Sequence, residues 1–247
     1  MQEERPFVMT VAGFDPSGGA GILADCKTFE QLKVQGLAVC TAVTIQTGTQ
    51  CLGLEWQSLE QIKEAIQVLL KTYPVKAIKI GVVKDAGFLS EIIKAVKTNA
   101  PYAKIIWDPV LKSTSAFAFF DLDTIPDLEN ILHEIDLITP NYNEYQVLRE
   151  SILSEDSENP CALLIKGGHR EDRLGTDILR MNGKEISIAP YQGNRIYDPK
   201  HGSGCVLSSA ITGYLAKGED LETSCRKGKI YIENFLASNS TLLGFHS

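Results

Sequence analysis

Phe7-Val8-Met9-Thr10-Val11-Ala12 leads into Asp15-Pro16-Ser17-Gly18-Gly19-Ala20-Gly21, and an amphipathic stretch from about Ala20 to Lys33 follows. A short run rich in β-branched residues, a turn of Asp and glycines, and an apolar period of 3.6 residues make one strand–turn–helix step. The step repeats. Strand-like runs at Ala38–Ile45, Ala77–Ile80, Ile105–Trp107, Leu137–Thr139 and Leu163–Ile165 alternate with helical patterns at about Leu59–Lys71, Phe88–Lys97, Asp127–His133 and Asn143–Glu150. This alternation predicts βαβ units, and so an α/β fold with a mainly parallel sheet covered by helices on both faces. The rhythm changes at Asp177–Arg180 and Glu185–Ala189, which flank Asn182-Gly183, a pair suited to a tight hairpin, so an antiparallel edge is expected there. Two helices, about Gly204–Ala216 and Leu221–Ser238, come last.

The 247 residues, 44% hydrophobic and 22% charged, suit one globular domain over 1–247. A net charge of −7 argues against nucleic acid or an anionic membrane as partner, so any anionic ligand must be gripped locally. The polar, acidic start Met1–Pro6 is unlike a secretory leader, and no apolar run approaches a membrane span; a cytoplasmic location is expected. Six cysteines are scattered with no CxxC pair and no His at zinc spacing, and apart from Cys205 they read as small core residues.

In an open parallel sheet, ligands collect at the carboxyl ends of the strands. The polar clusters fall there: Asp15–Gly21, Gln46-Thr47-Gly48-Thr49, Gly81, Asp108, Thr139-Pro140-Asn141 with Glu144, and Lys166-Gly167-Gly168-His169. Lys200-His201-Gly202-Ser203-Gly204-Cys205 then opens a helical pattern. The first turn of a helix has N–H groups without intrahelical partners and a partial positive charge, so a phosphate can dock on it without basic side chains. The same charge favours a thiolate, so the Cys205 pKa is expected below the usual ~8.5. A Walker A sequence is absent.

In this order, and over nearly the whole chain, these segments resemble the ribokinase-like superfamily, specifically its hydroxymethylpyrimidine/phosphomethylpyrimidine kinase branch. The matching residues are Ala12–Gly21 with Ala24-Asp25 and Lys27-Thr28-Phe29, Gln46, Lys79-Ile80-Gly81, Asp108-Pro109-Val110, Thr139-Pro140-Asn141 with Glu144, Lys166–His169 and His201–Cys205. The resemblance implies a three-layer α/β/α fold without a separate lid domain, and usually a homodimer. It implies transfer of the ATP γ-phosphoryl group, with Mg2+, to a pyrimidine hydroxymethyl group and then to the resulting monophosphate.

Roles carry over by position. Gly202, Ser203, Gly204 and the Cys205 N–H would form the anion hole, where preorganised donors stabilise charge on the transferring group. Cys205 would be the base, against a thiol packed passively beneath the loop. Gln46 would read the aminopyrimidine edge with its amide, against a plain turn residue. Gly13, Asp15 and Ala20 would shape the pocket floor with Val82 over the ring; Asp15 reads equally as a helix N-cap. Asn141 and Glu144, with Asp108, would position Mg2+ and its waters; a helix cap accounts for Asn141 alone but less readily for the pair. Lys166 is read as a phosphate contact or a structural residue before its turn. His201 and Lys200 are placed with the nucleotide.

The chain departs from the family pattern at Leu111-Lys112-Ser113-Thr114-Ser115 with the aromatic Phe117–Phe120, which reads as a reshaped flap, and at Lys200, Ser203 and Val206. Lys200 adds a charge suited to a phosphate, and these changes bear on the second transfer. A vitamin B6 kinase is the nearest alternative; Gln46 and the intact Asp15–Gly21 run favour the pyrimidine. Spacing disfavours a cysteine hydrolase, since Cys205 lies four residues after His201 inside a glycine loop. Retention of Asn141, Glu144 and Cys205 disfavours a binding module without turnover.

Overall fold

The structure, a computed structural model, describes residues 4–112, 117–153, 159–169, 175–193 and 197–247. Nine strands pair in one sheet of order β3-β2-β1-β4-β5-β6-β7-β8-β9. The strands are β1 (Phe7–Phe14), β2 (Gln35–Gln46), β3 (Cys51–Trp56), β4 (Val75–Ile80), β5 (Lys104–Trp107), β6 (Leu137–Ile138), β7 (Ala162–Ile165), β8 (Asp177–Met181) and β9 (Lys184–Ile188). From β2 through β7 every neighbouring pair is parallel, so their carboxyl ends lie along one edge. β8 and β9 form the expected antiparallel hairpin, with Asn182 and Gly183 at positive φ in its turn.

The helices are α1 (Gly21–Gln31), α2 (Leu59–Thr72), α3 (Ala86–Asn99), α4 (Tyr142–Arg149), α5 (Ser203–Ala216) and α6 (Leu221–Leu236). Strand side chains alternate between two cores. Met9, Ile78, Ile105 and Trp107 pack with Ile66 of α2, Leu89 of α3 and Leu148 of α4. Val8, Ala77 and Ile106 pack with Phe29 of α1, Ile211 of α5 and Ile232 of α6. A sheet buried on both faces explains why its strands read as continuous apolar runs. Each fully buried Ile or Leu contributes roughly 1.5–3 kcal/mol relative to an exposed one.

Three expectations are corrected. Gln46–Thr49 is not a strand-to-helix turn: it leads into β3, which runs antiparallel to β2. The helix expected at Asp127–His133 is part of a longer 3₁₀ stretch, Leu122–Glu134, with Pro126 inside it; Pro lacks the N–H an α-helix needs there. Of the cysteines read as core, Cys161 and Cys225 are buried, while Cys26, Cys40 and Cys51 are only half-buried. Of the reshaped flap, Lys112 bridges to Ala118 and Phe119 and Phe120 are buried; Ser113–Ala116 lie outside the described residues.

Candidate active site

β1 ends at Phe14, and the next residue anchors the loop that follows. Asp15, 1% exposed, accepts from the Ser17 N–H at 2.8 Å, the Ser17 hydroxyl at 2.8 Å, the Ala20 N–H at 2.9 Å and His201 Nε2 at 2.8 Å. Burial alone would raise its pKa, but hydrogen bonds from His201, Ser17 and Gln46 prevail and hold it at about 2. The carboxylate is therefore ionised and can only accept, so Nε2 of His201 donates. Nδ1 of His201 is buried without a partner among the described residues. The N-cap reading of Asp15 is set aside: the cap of α1 is Ala20, with no side-chain bond, and Asp15 instead ties its own loop to His201.

The other residues expected to line the acceptor pocket lie close to Asp15. Gln46 reaches Asp15. A Cβ on Gly13 would stand 3.8 Å from Val82 Cβ and 3.6 Å from the Ala42 carbonyl oxygen. Gly13, Asp15, Ala20, Gln46 and Val82 thus gather near the ends of β1, β2 and β4.

Gly202 caps α5 with φ 75°, and no side chain caps that helix end. The left-handed backbone suits glycine, and a Cβ there would collide with the Gly19 carbonyl. The N–H groups of Ser203, Gly204 and Cys205 lie in the first turn of α5, where a helix supplies no acceptor of its own and an anion can dock. A Cβ on Gly204 would lie 3.1 Å from Lys166 Nζ. Lys166 Nζ is 2.8 Å from Asp108 Oδ1, which also accepts the Thr139 hydroxyl at 3.0 Å, while Oδ2 accepts the Ser208 hydroxyl at 3.2 Å. Burial would raise the Asp108 pKa, yet Lys166 and Lys79 hold it below the usual range. Burial likewise opposes the Lys166 charge, and Asp108 and Glu144 outweigh it to keep the pKa raised.

Asn141 and Glu144 form a capping box at the start of α4: Asn141 Oδ1 accepts the Glu144 N–H at 2.9 Å and Glu144 Oε2 accepts the Asn141 N–H at 2.7 Å. The cap thus engages both residues of the pair. Burial pushes the Glu144 carboxyl up to about 7, against the pull of Lys166. Asp108 and Glu144 offer hard oxygen donors beside that first turn of α5. Among the described residues no set of three or more His, Cys, Asp or Glu is grouped around a metal position. That donor set fits Mg2+, which takes one or two carboxylates and fills its shell with phosphate oxygens and water.

One expectation about this loop is overturned. Burial pushes the Cys205 thiol up to about 11, although Lys79 pulls it down, so the environment does not acidify it. The Lys200 ammonium, expected to suit a phosphate, is buried and gives one hydrogen bond to the Asn239 carbonyl at 2.6 Å. His201 pairs with Asp15 and so joins the loop after β1 to the start of α5.

Sequence reasoning assigned no role to a fully buried cluster beneath these residues. Lys79 Nζ lies 2.9 and 2.8 Å from the two Asp25 oxygens, which also accept the Ser209 and Thr10 hydroxyls at 2.6 Å each. Ser208 and Ser209 therefore lock the first turns of α5 to Asp108 and Asp25. A lysine inside the apolar run of β4 and an Asp inside the apolar pattern of α1 were the available signals, since buried charges require partners.

The phosphomethylpyrimidine kinase family matches residues 15–246. The chain belongs to that family. The hydroxymethylpyrimidine/phosphomethylpyrimidine kinase of Aquifex aeolicus (strain VF5) is 32% identical to this kinase over 260 residues, covering 96% of this chain and 96% of the relative. The kinase of the same name from Bacillus subtilis (strain 168) is 30% identical over 227 residues, covering 86% and 82%. The crystal structure of phosphomethylpyrimidine kinase from Clostridium difficile 630 aligns with a TM-score of 0.76 at 29% identity, covering 93% of this chain and 99% of that one. An ADP complex of Bacillus subtilis pyridoxal kinase aligns with a TM-score of 0.81 at 22% identity, covering 99% and 97%, and shares the ribokinase-like fold.

Proposed function

We propose that this kinase transfers the γ-phosphoryl group of ATP to the hydroxymethyl oxygen of 4-amino-5-hydroxymethyl-2-methylpyrimidine, and then to the phosphate of the monophosphate, in thiamine biosynthesis. The observation that carries the reading is the uncapped start of α5, set by Gly202 against Gly19 and tied through His201 to Asp15. An anion cradle and a pocket for a flat heteroaromatic ring thereby share one wall.

In this reading Gln46 and Asp15 address the polar edge of the pyrimidine and Val82 its face. The N–H groups of Ser203, Gly204 and Cys205 receive the charge that builds on the transferring group, with Lys166 beside them. Mg2+, when bound, would supply charge neutralisation for the transferring phosphoryl group. Asp108 would reach it directly, and Asn141 and Glu144 through water, because the capping box holds their groups on backbone. The hydroxymethyl oxygen forms the new P–O bond, the bond to the ADP oxygen breaks, and the hydroxyl proton passes to the thiolate form of Cys205, a minor form of the buried thiol that grows as pH rises toward about 11. We further infer one domain, supported by the single sheet, and action in the cytoplasm; no helix among the described residues is long and apolar enough to cross a membrane. A homodimer is supported by Val43, Ile45 and Leu52, exposed at 43%, 66% and 70% on the β2–β3 edge.

The test is a mass-resolved time course with Mg-ATP and hydroxymethylpyrimidine, pyridoxal in parallel and Cys205→Ala as control. Monophosphate followed by pyrophosphate is the expected result. Turnover of pyridoxal alone would transfer the assignment to a vitamin B6 kinase, and monophosphate alone would remove the second step.

A further inference from the structure

Residues 239–247 return from α6 to the mouth of the site. Asn239 organises the return: Oδ1 accepts from the Thr241 N–H at 3.0 Å and its hydroxyl at 3.1 Å, and Nδ2 donates to the Leu243 carbonyl at 3.0 Å. Farther on, His246 Nδ1 lies 2.9 Å from the Tyr231 hydroxyl, and its ring centroid 4.9 Å from that of Phe235. Between these anchors the segment holds the anion loop by its backbone. Lys200 Nζ donates to the Asn239 carbonyl at 2.6 Å, and the His201 N–H donates to the Leu242 carbonyl at 2.9 Å.

Two leucines of this strap meet both turns of the acceptor side. Leu243 Cδ2 is 2.8 Å from where a Cβ on Gly19 would stand and 3.6 Å from where one on Gly48 would stand; Leu242 Cβ is also 3.6 Å from the latter. Gly19 precedes Ala20, and Gly48 follows Gln46 by two residues. Leu243 remains 42% exposed. A half-exposed leucine fixed by a hydrogen-bonded turn adds little to the core; here it lays an apolar side chain against the two turns that carry Ala20 and Gln46. Flat heteroaromatic ligands are held by polar groups at the ring edge and apolar groups on its faces.

We propose that Leu243 is a specificity-determining residue, closing the acceptor pocket between Gly19 and Gly48 on a strap that also fixes Lys200 and His201. The inference rests on the assignment of Gly13, Asp15, Ala20, Gln46 and Val82 to the acceptor. Leu243 sets how large a ring the pocket admits, while the strap keeps that wall in register with the anion cradle.

Steady-state kinetics of Leu243→Ala and Leu243→Met test it, with hydroxymethylpyrimidine, pyridoxal and ATP each varied. Leu243→Ala is expected to raise the pyrimidine KM about tenfold, to change kcat and the ATP KM by less than about twofold, and to shift the kcat/KM ratio toward pyridoxal. Leu243→Met, which restores the bulk, is expected to return the pyrimidine KM to within about threefold of the parent. An unchanged pyrimidine KM overturns the proposal, as does a parallel loss of kcat, ATP affinity and Tm, which would mark a structural role. Should Leu243→Ala fail to fold, the Met variant and Leu243→Val carry the same comparison. If the parent enzyme phosphorylates no pyrimidine, the acceptor assignment itself falls and this inference with it; a parent active on pyrimidine beside an indifferent Leu243→Ala removes the inference alone.

Discussion

A thiol in the first turn of a helix sits among donors that favour its anion, yet at Cys205 burial dominates and holds the pKa near 11. If the thiolate takes the substrate proton, the active fraction grows about tenfold per pH unit below that value. The expected profile of kcat/KM therefore climbs from pH 7 to pH 9 without levelling, and Cys205→Ser loses both rate and slope. A plateau near pH 8 in the parent would assign the proton to another group. At this scale the sequence showed which residues are polar and where glycines cluster, but not who pairs with whom. Asp15 and His201 are 186 positions apart, and no local pattern reports their contact. Lys200 reads as a free cation beside a glycine loop, and only the return of residues 239–243 reveals its hydrogen bond to a backbone carbonyl.

Among the elements, α5 matters most because its start is shaped by backbone rather than by side chains. Gly202 has φ 75° and no room for a Cβ, whereas a Cβ at Gly204 meets only side-chain ends, Lys166 Nζ at 3.1 Å and Asp108 Oδ2 at 3.9 Å. Gly202→Ala is expected to lower Tm by several degrees, through roughly 1 kcal/mol or more of left-handed strain plus the clash with Gly19. By displacing the cradle donors it should also cost about a hundredfold or more in kcat. Gly204→Ala should keep most of the Tm and lose activity chiefly through Lys166; thermal melts beside kinetics separate the two, and equal melts would contradict this account of the loop. The strand–helix alternation was legible because strands buried on both faces read as unbroken apolar runs. β3 was not: Cys51–Trp56 is short, interrupted by Gly53 and half-exposed, and Gln46–Thr49 looks like any polar strand end. The capping box of α4 could be read as a cap or as metal chemistry, and its geometry shows that the cap engages both Asn141 and Glu144.

For the whole molecule, the parallel strands line up along one edge: β1, β2 and β4 lead into Asp15, Gln46 and Val82, which we assign to the acceptor, β5 to β7 lead into Asp108, Asn141 and Lys166, and α5 spans the two. The buried Lys79–Asp25 pair locks α5 to the sheet beneath that junction. The pocket wall comes from elsewhere, since Leu243 must travel back to Gly19 and Gly48 after the sheet is laid down. Contacts between such distant positions form late in folding, because loop closure is costly until the rest of the structure rewards it. On dilution from denaturant, helical circular dichroism and the fluorescence of buried Trp107 should recover before kinase activity does; simultaneous recovery would place the strap earlier. A molecule caught in that interval would be folded by every spectroscopic measure and still have nowhere to seat its substrate.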